Sequence, residues 1–300
     1  MPQLRAKLKQ AYLSKEMYLM LLPAVLYLII FVFYPIVKGI TISLQDFTFI
    51  NDSKFIGFDN YRRMLFQEKD FWRAFQNTLI FAFWNAFLGV VLPCLLAIML
   101  CELQGSLFKR FTQTMLYLPN LFSWVIVGST FMFLLSPTVG PVNYLVKAMG
   151  HEPVYFFGKP ELARTLIIFL NQWKITGFGI IIYLATLVGI PPEQYEAAEI
   201  DGANRLQKVL YITVPSLKNT VKVMVMLNIM GMFLLFDPIY VLQNPITMQE
   251  TDVLMTYIYR TSITKLDLSY GSSVSVFISV IALIMTLIAK KLTGYGVEND

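Results

Sequence analysis

The chain has 300 residues, of which 56% are hydrophobic and only 14% are charged, and its formal net charge is +5. Soluble domains carry about 25% charged residues, so this composition excludes an ordinary soluble protein. A soluble domain would also have to bury every long apolar segment described below, and the low charge argues against that.

Six apolar segments are each long enough to cross a bilayer, for which a helix needs about 20 residues. None of them alternates apolar and polar residues, so helices are favoured over a barrel. The sequence therefore predicts an all-α polytopic membrane protein with six transmembrane helices. These helices are expected near Met17–Val37, Thr78–Cys101, Met115–Leu135, Leu166–Val188, Val223–Leu242 and Ser272–Ala289.

The orientation depends on short basic flanks, because Lys and Arg divide evenly between the two sides of this topology. Basic residues precede the first helix, follow the second and end the sixth. We therefore predict that both termini are cytoplasmic in a bacterial cell membrane. Residues 1–16 form a basic amphipathic segment on the inner surface, residues 17–291 form the membrane domain and residues 292–300 form a tail.

An aromatic and basic segment, Phe58–Phe75, connects the first two predicted helices. It contains Arg62, Arg63, Lys69 and Arg73 among several aromatic rings. Such a composition predicts an external helix with its rings at the level of the lipid headgroups.

Few residues of the chain suit catalysis or metal binding. His151 is its only histidine, and the sequence has no GxxxxGK[ST] loop for a nucleotide. An ion-coupled secondary transporter would need paired acids or histidines in the membrane, where Asp237 is the only plausible acid. A polytopic membrane enzyme would need a cluster of such groups at one interface. Both classes remain as alternatives to the interpretation below.

A charged segment, "EQYEAAEIDGANRLQKVLYITVP" (Glu193–Pro215), separates the fourth and fifth predicted helices. Pro191 and Pro192 end the fourth helix, and a short helix begins at Pro192 or Glu193. Gly202 permits a turn with positive φ, after which a second short helix exposes its basic residues. The segment therefore predicts a helix–turn–helix that projects from the membrane.

This segment contains E-A-A at Glu196–Ala198, D-G-A at Asp201–Ala203 and I-x-x-P at Ile212–Pro215. It resembles the cytoplasmic EAA loop of binding-protein-dependent ABC importer permeases, and the similarity extends from about Met17 to Ala289. The segments "FDPIYVLQNP" and "SYGSSVSVFISV" are most similar to LplB-like oligosaccharide permeases of the carbohydrate-uptake branch. Gln-Asn-Pro replaces the Gly-Gly-Pro of many sugar permeases, which argues against a simple maltose-type substrate.

The resemblance implies a type I importer permease, a non-catalytic subunit that supplies half of an oligosaccharide pathway. Its implied partners are a second homologous permease, two cytoplasmic ATPase subunits that bind ATP and Mg, an extracytoplasmic sugar-binding protein and the lipid bilayer, with no nucleic acid. The chain itself is expected to hold no cofactor and no metal. Residues implied to dock on the ATPase are Glu196, Ala197, Ala198, Asp201 and Gly202.

A substrate pathway is implied at the positions that match the sugar contacts of maltose-type permeases. These positions are Asn120, Trp124, Lys174, Ile175, Asn228, Gly231 and Met232. Trp173 joins them because an indole ring can stack on a sugar, although tryptophan also anchors helices at the membrane interface.

Helical spacing groups several of these residues. It predicts one face of the third helix with Asn120, Ser123 and Trp124, and one face of the fifth helix running from Asn228 through Gly231 and Met232 to Leu235. Polar residues and glycine in membrane helices also serve helix packing, so that alternative stays open.

Lys174 is expected near the middle of the membrane, about 12 Å from a helix start at Leu166. A charge at that depth usually faces a cavity or a partner group. The alternatives are that Lys174 snorkels to the outer interface or that the helix starts elsewhere.

Overall fold

The computed structural model describes residues 15–48, 52–103 and 105–294. The chain divides into two compact units, one of residues 1–66 with 261–277 and the other of residues 67–260 with 278–300. Residues 1–14 of the predicted amphipathic segment and residues 295–300 of the predicted tail lie outside the described part.

The described chain is helical except for one small hairpin and the connecting turns. Its first half forms α1 (Lys15–Leu28), a π-helical turn (Ile29–Phe33), α2 (Tyr34–Ser43), β1 (Gln45–Asp46), β2 (Lys54–Phe55), α3 (Asp59–Phe66), α4 (Lys69–Glu102), α5 (Ser106–Tyr117), a 3-10 turn (Leu118–Leu121), α6 (Trp124–Leu134) and α7 (Pro141–Ala148). Its second half forms α8 (Pro160–Val188), α9 (Pro192–Ile200), α10 (Arg205–Lys208), a π-helical turn (Val209–Thr213), α11 (Val214–Ser216), α12 (Lys218–Gly231), α13 (Asp237–Leu242), α14 (Met248–Thr251), α15 (Leu254–Tyr259), another π-helical turn (Arg260–Thr264) and α16 (Leu268–Thr293).

The first unit is held together by side-chain contacts to its hairpin and to the start of α16. The two strands pair antiparallel, and the buried Asn60 Nδ2 donates to the Ser43 and Gln45 carbonyls at 3.1 and 3.3 Å. Arg63 forms an ion pair with Asp267 at 2.8 Å and lies 4.4 Å from the ring centroid of Tyr270. The most apolar 18-residue window of the span Leu19–Ser43 is 0% buried by the chain itself, so lipid or another subunit must cover it.

The second unit is built on the packing of α4 against α8, with α12 added along α4. One apolar cluster includes Phe81, Ile167 and Leu242, and a second includes Ala97, Tyr183 and Leu217. Both clusters join several helices, because these helices carry apolar residues around most of their circumference.

Four helical spans of the described chain are long and apolar enough to cross a membrane. They are Leu19–Ser43, Lys69–Glu102, Pro160–Val188 and Leu268–Thr293. A fifth span is present if Ser106–Leu121 and Trp124–Leu134 count as one, although their axes differ by 102°.

The predicted third and fifth helices are wrong as continuous helices. The third is interrupted at Phe122 and Ser123, both of which have extended backbone. Ser123 caps α6 by accepting a hydrogen bond from the Ile126 amide at 3.3 Å, so a new helix starts at an angle to the preceding one. The fifth is interrupted between Gly231 and Asp237, where α12 ends and α13 begins. The number of full crossings therefore stays a prediction.

The predicted external helix Phe58–Phe75 is also wrong as one helix. It is divided at Gln67 and Glu68, between the end of α3 and the start of α4. Glu68 has extended backbone at the N-cap of α4, so the last residues of the segment form the first turns of a long helix rather than an interfacial one.

Asn77 fixes the segment around α14 to α4, and its loss should destabilise the second unit. Its buried Nδ2 donates to the Gln249 and Asp252 carbonyls at 3.0 Å each, and its Oδ1 accepts from Arg164 at 2.9 Å. Asn77→Leu removes all three bonds and should lower the free energy of unfolding by about 2 kcal/mol. Thermal unfolding of the purified protein measures this. The exposed amide of Asn219 provides the control Asn219→Leu, and equal melting temperatures for the two variants would contradict the assignment.

Candidate functional site

A cavity of about 360 Å³ lies between α4, α8 and α12. Its wall is mostly apolar but includes four amide side chains, of Asn85, Asn120, Asn171 and Asn228. Amides in an otherwise apolar membrane wall can bind a polar solute without placing a formal charge in the membrane.

Five of the predicted pathway residues line this cavity. They are Asn120, Ile175, Asn228, Gly231 and Met232. The structure thus brings together residues from three separate predicted helices, and their role as a substrate pathway stays a prediction.

The predicted helical faces do not explain this arrangement. Asn120 lies in the 3-10 turn before the bend, and Ser123 lies in the bend, so these residues do not share a helical face with Trp124. Likewise α12 ends at Gly231, and Leu235 lies in the non-helical stretch before α13. Asn228 and Gly231 nevertheless share one face of α12 as predicted, whereas Asn120 and Leu235 reach the cavity from irregular backbone at the two breaks.

Lys174 lies at the midpoint of α8, which begins at Pro160 rather than at the predicted Leu166. Only 8% of its surface is exposed, and its Nζ donates to the Asn120 carbonyl at 3.2 Å. The same ammonium lies 5.7 Å from the ring centroid of Trp124, within range of a cation–π interaction. Lys174 therefore supports the turn that carries Asn120, and it is not itself among the residues that line the cavity.

Trp173 is 41% exposed and packs edge to face on Phe131, with the ring centroids 5.4 Å apart. Neither Trp173 nor Trp124 is among the lining residues. The structure thus separates the tryptophans from the amide wall that the sequence grouped with them.

Two glycines permit the close helix contacts around the cavity. A Cβ on Gly177 would overlap the backbone of Leu116 and Tyr117, so only glycine lets α8 approach the end of α5 this closely. A Cβ on Gly89 would overlap the side chain of Asn228, which packs directly on α4.

The sequence analysis missed Asn85 and Asn171, which also line the cavity. The available signal was an amide within each of two apolar helices, at "FWNAF" and "LNQWK". Amides that serve only helix packing give the same signal, so it indicates a binding site only once the structure shows both amides on one cavity wall.

The predicted helix–turn–helix is present as α9 and α10. The Gly202 φ is +78°, its amide donates to the Glu199 carbonyl at 3.0 Å, and the Ala203 amide donates to the Ala198 carbonyl at 2.9 Å. This pair of bonds is a Schellman motif, which ends α9 at a residue with left-handed backbone.

The second helix of the segment begins with a capping box. Asn204 accepts from the Gln207 amide at 2.9 Å, and Gln207 accepts from the Asn204 amide at 2.8 Å. Lys208 Nζ donates to Glu199 at 2.5 Å, and this hydrogen bond and the positive charge of Lys208 lower the pKa of the Glu199 carboxyl. Lys208 is therefore partly buried rather than exposed as predicted, whereas Arg205 is exposed.

The residues expected to dock on a partner lie at the surface of this segment. Glu196, Ala197, Asp201 and Gly202 are exposed, and Ala198 is partly buried. Three large apolar side chains beside them, which the sequence analysis did not select, are also exposed: Ile200 by 87%, Leu206 by 66% and Tyr211 by 76%.

Residues 89–294 match the family described as "Binding-protein-dependent transport system inner membrane component". The chain therefore belongs to this family. It is 36% identical over 291 residues to the polygalacturonan/rhamnogalacturonan transport system permease protein YteP of Bacillus subtilis, covering 95% of this chain and 90% of that protein. It is 35% identical to protein LplB of the same organism, covering 94% and 91%.

Solved structures give the same result. A chain of a bacterial alginate ABC transporter, crystallised in complex with an alginate pentasaccharide-bound periplasmic protein, matches with a TM-score of 0.88 and 33% identity, covering 95% of this chain and 96% of that chain. The predicted family and fold class are confirmed: the chain is a multi-pass membrane permease of a sugar ABC transporter with the type I fold. It is a non-catalytic permease subunit.

Proposed function

We propose that this chain forms half of the translocation pathway of an oligosaccharide importer and couples to a cytoplasmic ATPase through the helix–turn–helix segment. A second homologous permease completes the pathway, two ATPase subunits bind ATP and Mg, and an extracytoplasmic binding protein delivers the sugar. The proposed pathway rests on the cavity, which is lined by amide side chains from α4, α8, α12 and the 3-10 turn and lies beside the break between α12 and α13.

The surface of the helix–turn–helix supports the coupling role. The segment exposes the large apolar side chains of Ile200, Leu206 and Tyr211 along with its charged and small residues, a composition suited to binding another protein. The Schellman motif, the capping box and the Glu199–Lys208 ion pair make the segment rigid, so force applied to it can be passed to α8 and α12.

This assignment sets the orientation. If the segment docks on an ATPase it is cytoplasmic, and the cytoplasmic placement of both termini in a bacterial cell membrane follows from the predicted topology. Cysteine substitution at Leu206, labelled by a membrane-impermeant reagent only in inside-out vesicles, tests this placement.

Relatives indicate the class of sugar. The names of similar proteins include polygalacturonan/rhamnogalacturonan and arabinooligosaccharides, and the similar solved structure is that of an alginate transporter. We propose complex oligosaccharides as substrates of this chain, with the acidic or neutral character to be determined by uptake.

The chain alone should neither bind ATP nor transport a sugar, because it has no phosphate-binding loop and provides one side of a pathway. Liposomes that contain only this chain should show no uptake from a mixture of neutral and uronate-containing oligosaccharides. Liposomes with the second permease, the ATPases, the binding protein and internal ATP should accumulate at least one component, identified by mass spectrometry. Specific uptake by the chain alone would contradict the proposal.

A further inference from the structure

Four lysines form a cluster where α12 begins and α16 ends, both within the second unit. Lys218 and Lys222 lie one turn apart at the start of α12, and Lys290 and Lys291 lie in the last turn of α16. Lys222 Nζ lies 4.0 Å from the position that a Cβ on Gly294 would occupy, directly after α16. The Lys222 side chain therefore reaches from one helix to the end of the other and joins the two pairs of lysines.

No acidic group of the two helices neutralises this lysine cluster. Both α12 and α16 lack aspartate and glutamate, and none of the four lysines forms an ion pair within the described part of the chain. Glu199 of the preceding helix–turn–helix is already paired with Lys208. Lys222 is partly buried and the other three lysines are exposed. Four like charges concentrated at one place attract an anion.

An exposed apolar stripe of α16 leads to the lysine cluster. Val280, Ile284, Leu287 and Ile288 are each about half exposed, and helical spacing places Lys291 on the same face. The helical rise from Val280 to Lys291 is about 17 Å, close to half of the roughly 30 Å hydrocarbon core. The stripe therefore has the length of one leaflet, and the lysines lie at the depth of its headgroups.

We propose that the lysine cluster binds one anionic phospholipid, with the phosphate between the lysines and an acyl chain along the stripe of α16. Lysine ammonium groups donate hydrogen bonds that phosphate oxygens accept, and basic clusters at the end of a membrane helix attract anionic headgroups. A free phosphate would leave the stripe uncovered, which favours a lipid as the ligand. The site lies outside the proposed sugar pathway and does not depend on it.

The test uses the full-length chain, purified with its associated subunits and freed of lipid. The protein is titrated with phosphatidylglycerol or with phosphatidylcholine of identical acyl chains, and native mass spectrometry counts the lipids bound to each chain. We expect one phosphatidylglycerol to bind about tenfold more tightly than phosphatidylcholine, because the choline cation is repelled by the lysines. High salt should reduce this preference, since it screens exposed charges.

The decisive variant combines Lys222→Gln with Lys291→Gln. Each lysine near an anionic headgroup contributes about a fivefold gain in affinity, so the double variant should bind phosphatidylglycerol about 30-fold more weakly. The matched control combines Lys54→Gln with Lys147→Gln, which removes the same charge from exposed lysines of β2 and α7. This control should stay within about twofold of wild type. Arginine at positions 222 and 291 keeps both charges and should also retain binding.

Each of four results would overturn the proposal. Equal binding of the two lipids would show that the lysines select no headgroup, and a glutamine variant that matches its control would show that they contact none. Complete displacement of phosphatidylglycerol by millimolar inorganic phosphate would assign the site to a free anion. A chain that ends at Gly294 lacks the acidic Glu298 and Asp300 and should bind phosphatidylglycerol at least as tightly as the full chain. Weaker binding by this shortened chain would show that the tail, rather than the lysine cluster, holds the lipid.

Discussion

Gly202→Leu should abolish ATP-driven sugar uptake while leaving the membrane helices intact. The Gly202 φ of +78° is a left-handed conformation that costs a branched side chain roughly 1–2 kcal/mol. A Cβ built on Gly202 meets no atom within 4 Å, so the chain itself has room for a side chain and the cost is conformational. The leucine variant should therefore distort the Schellman motif and the surface around it, without disturbing the distant packing of α4 against α8.

A matched substitution separates two possible causes of the lost uptake, which are distortion of the turn and a steric clash with the ATPase. Asparagine tolerates left-handed backbone, so Gly202→Asn keeps the turn but adds a side chain. If the turn alone matters, Gly202→Asn should retain most uptake. If a close-fitting ATPase cleft also matters, both variants should lose it.

Two measurements complete this experiment. The first is the amount of ATPase that co-purifies with each variant, and the second is ATP-dependent uptake in proteoliposomes. Normal uptake and a full complex with Gly202→Leu would show that this segment is not the coupling element.

Lys174→Met should lower uptake about tenfold or change which oligosaccharide is preferred, with assembly unaffected. Methionine is similar in length but cannot donate to the Asn120 carbonyl, which Lys174 Nζ contacts at 3.2 Å. The turn of residues 118–121 then loses its hydrogen bond to α8, and Asn120 should shift on the cavity wall. Uptake across a panel of neutral and acidic oligosaccharides measures the effect.

The control for this variant is Lys147→Met, which removes an exposed lysine of α7. A further variant, Lys174→Cys, asks whether position 174 is reached from the pathway. Lys174 is buried and does not line the cavity in this structure, so modification by a small charged thiol reagent would show that another state of the transporter opens the pathway to this position. Unchanged uptake by Lys174→Met, with an unreactive thiol in every nucleotide state, would show that Lys174 only packs.

Sequence patterns predicted the long helices and the helix–turn–helix because both depend on local signals. A long apolar run identified α4, and the order of prolines, acidic residues and Asp-Gly identified α9 and its turn. These signals act through backbone dihedrals and helix ends, which a few neighbouring residues determine.

The bend before α6 and the gap after α12 carry local signals that do not decide the structure. Pro119 precedes the bend and Ser123 caps α6, while Gly231 ends α12 and Asp237-Pro238 begins α13. Proline and glycine also occur inside continuous membrane helices, so these residues alone do not predict a break. Backbone of this kind leaves the helical conformation only because packed neighbours or a cavity satisfy its polar groups, and that is a tertiary effect. The amide wall of the cavity is equally non-local, since Asn85 and Asn171 belong to different helices.

The break after Gly231 also bears on how the protein enters the membrane during synthesis. Helix α12 has 14 residues, a length of about 21 Å, which falls short of the roughly 30 Å hydrocarbon core. Its sequence includes Lys218, Lys222 and Asn228, so a translocon would release it into lipid only reluctantly as an isolated segment. We expect α12 to partition from the translocon together with α4 and α8, on which it packs. Membrane insertion of this region is then cooperative, because helices that are synthesised earlier shield the polar residues of α12 from lipid.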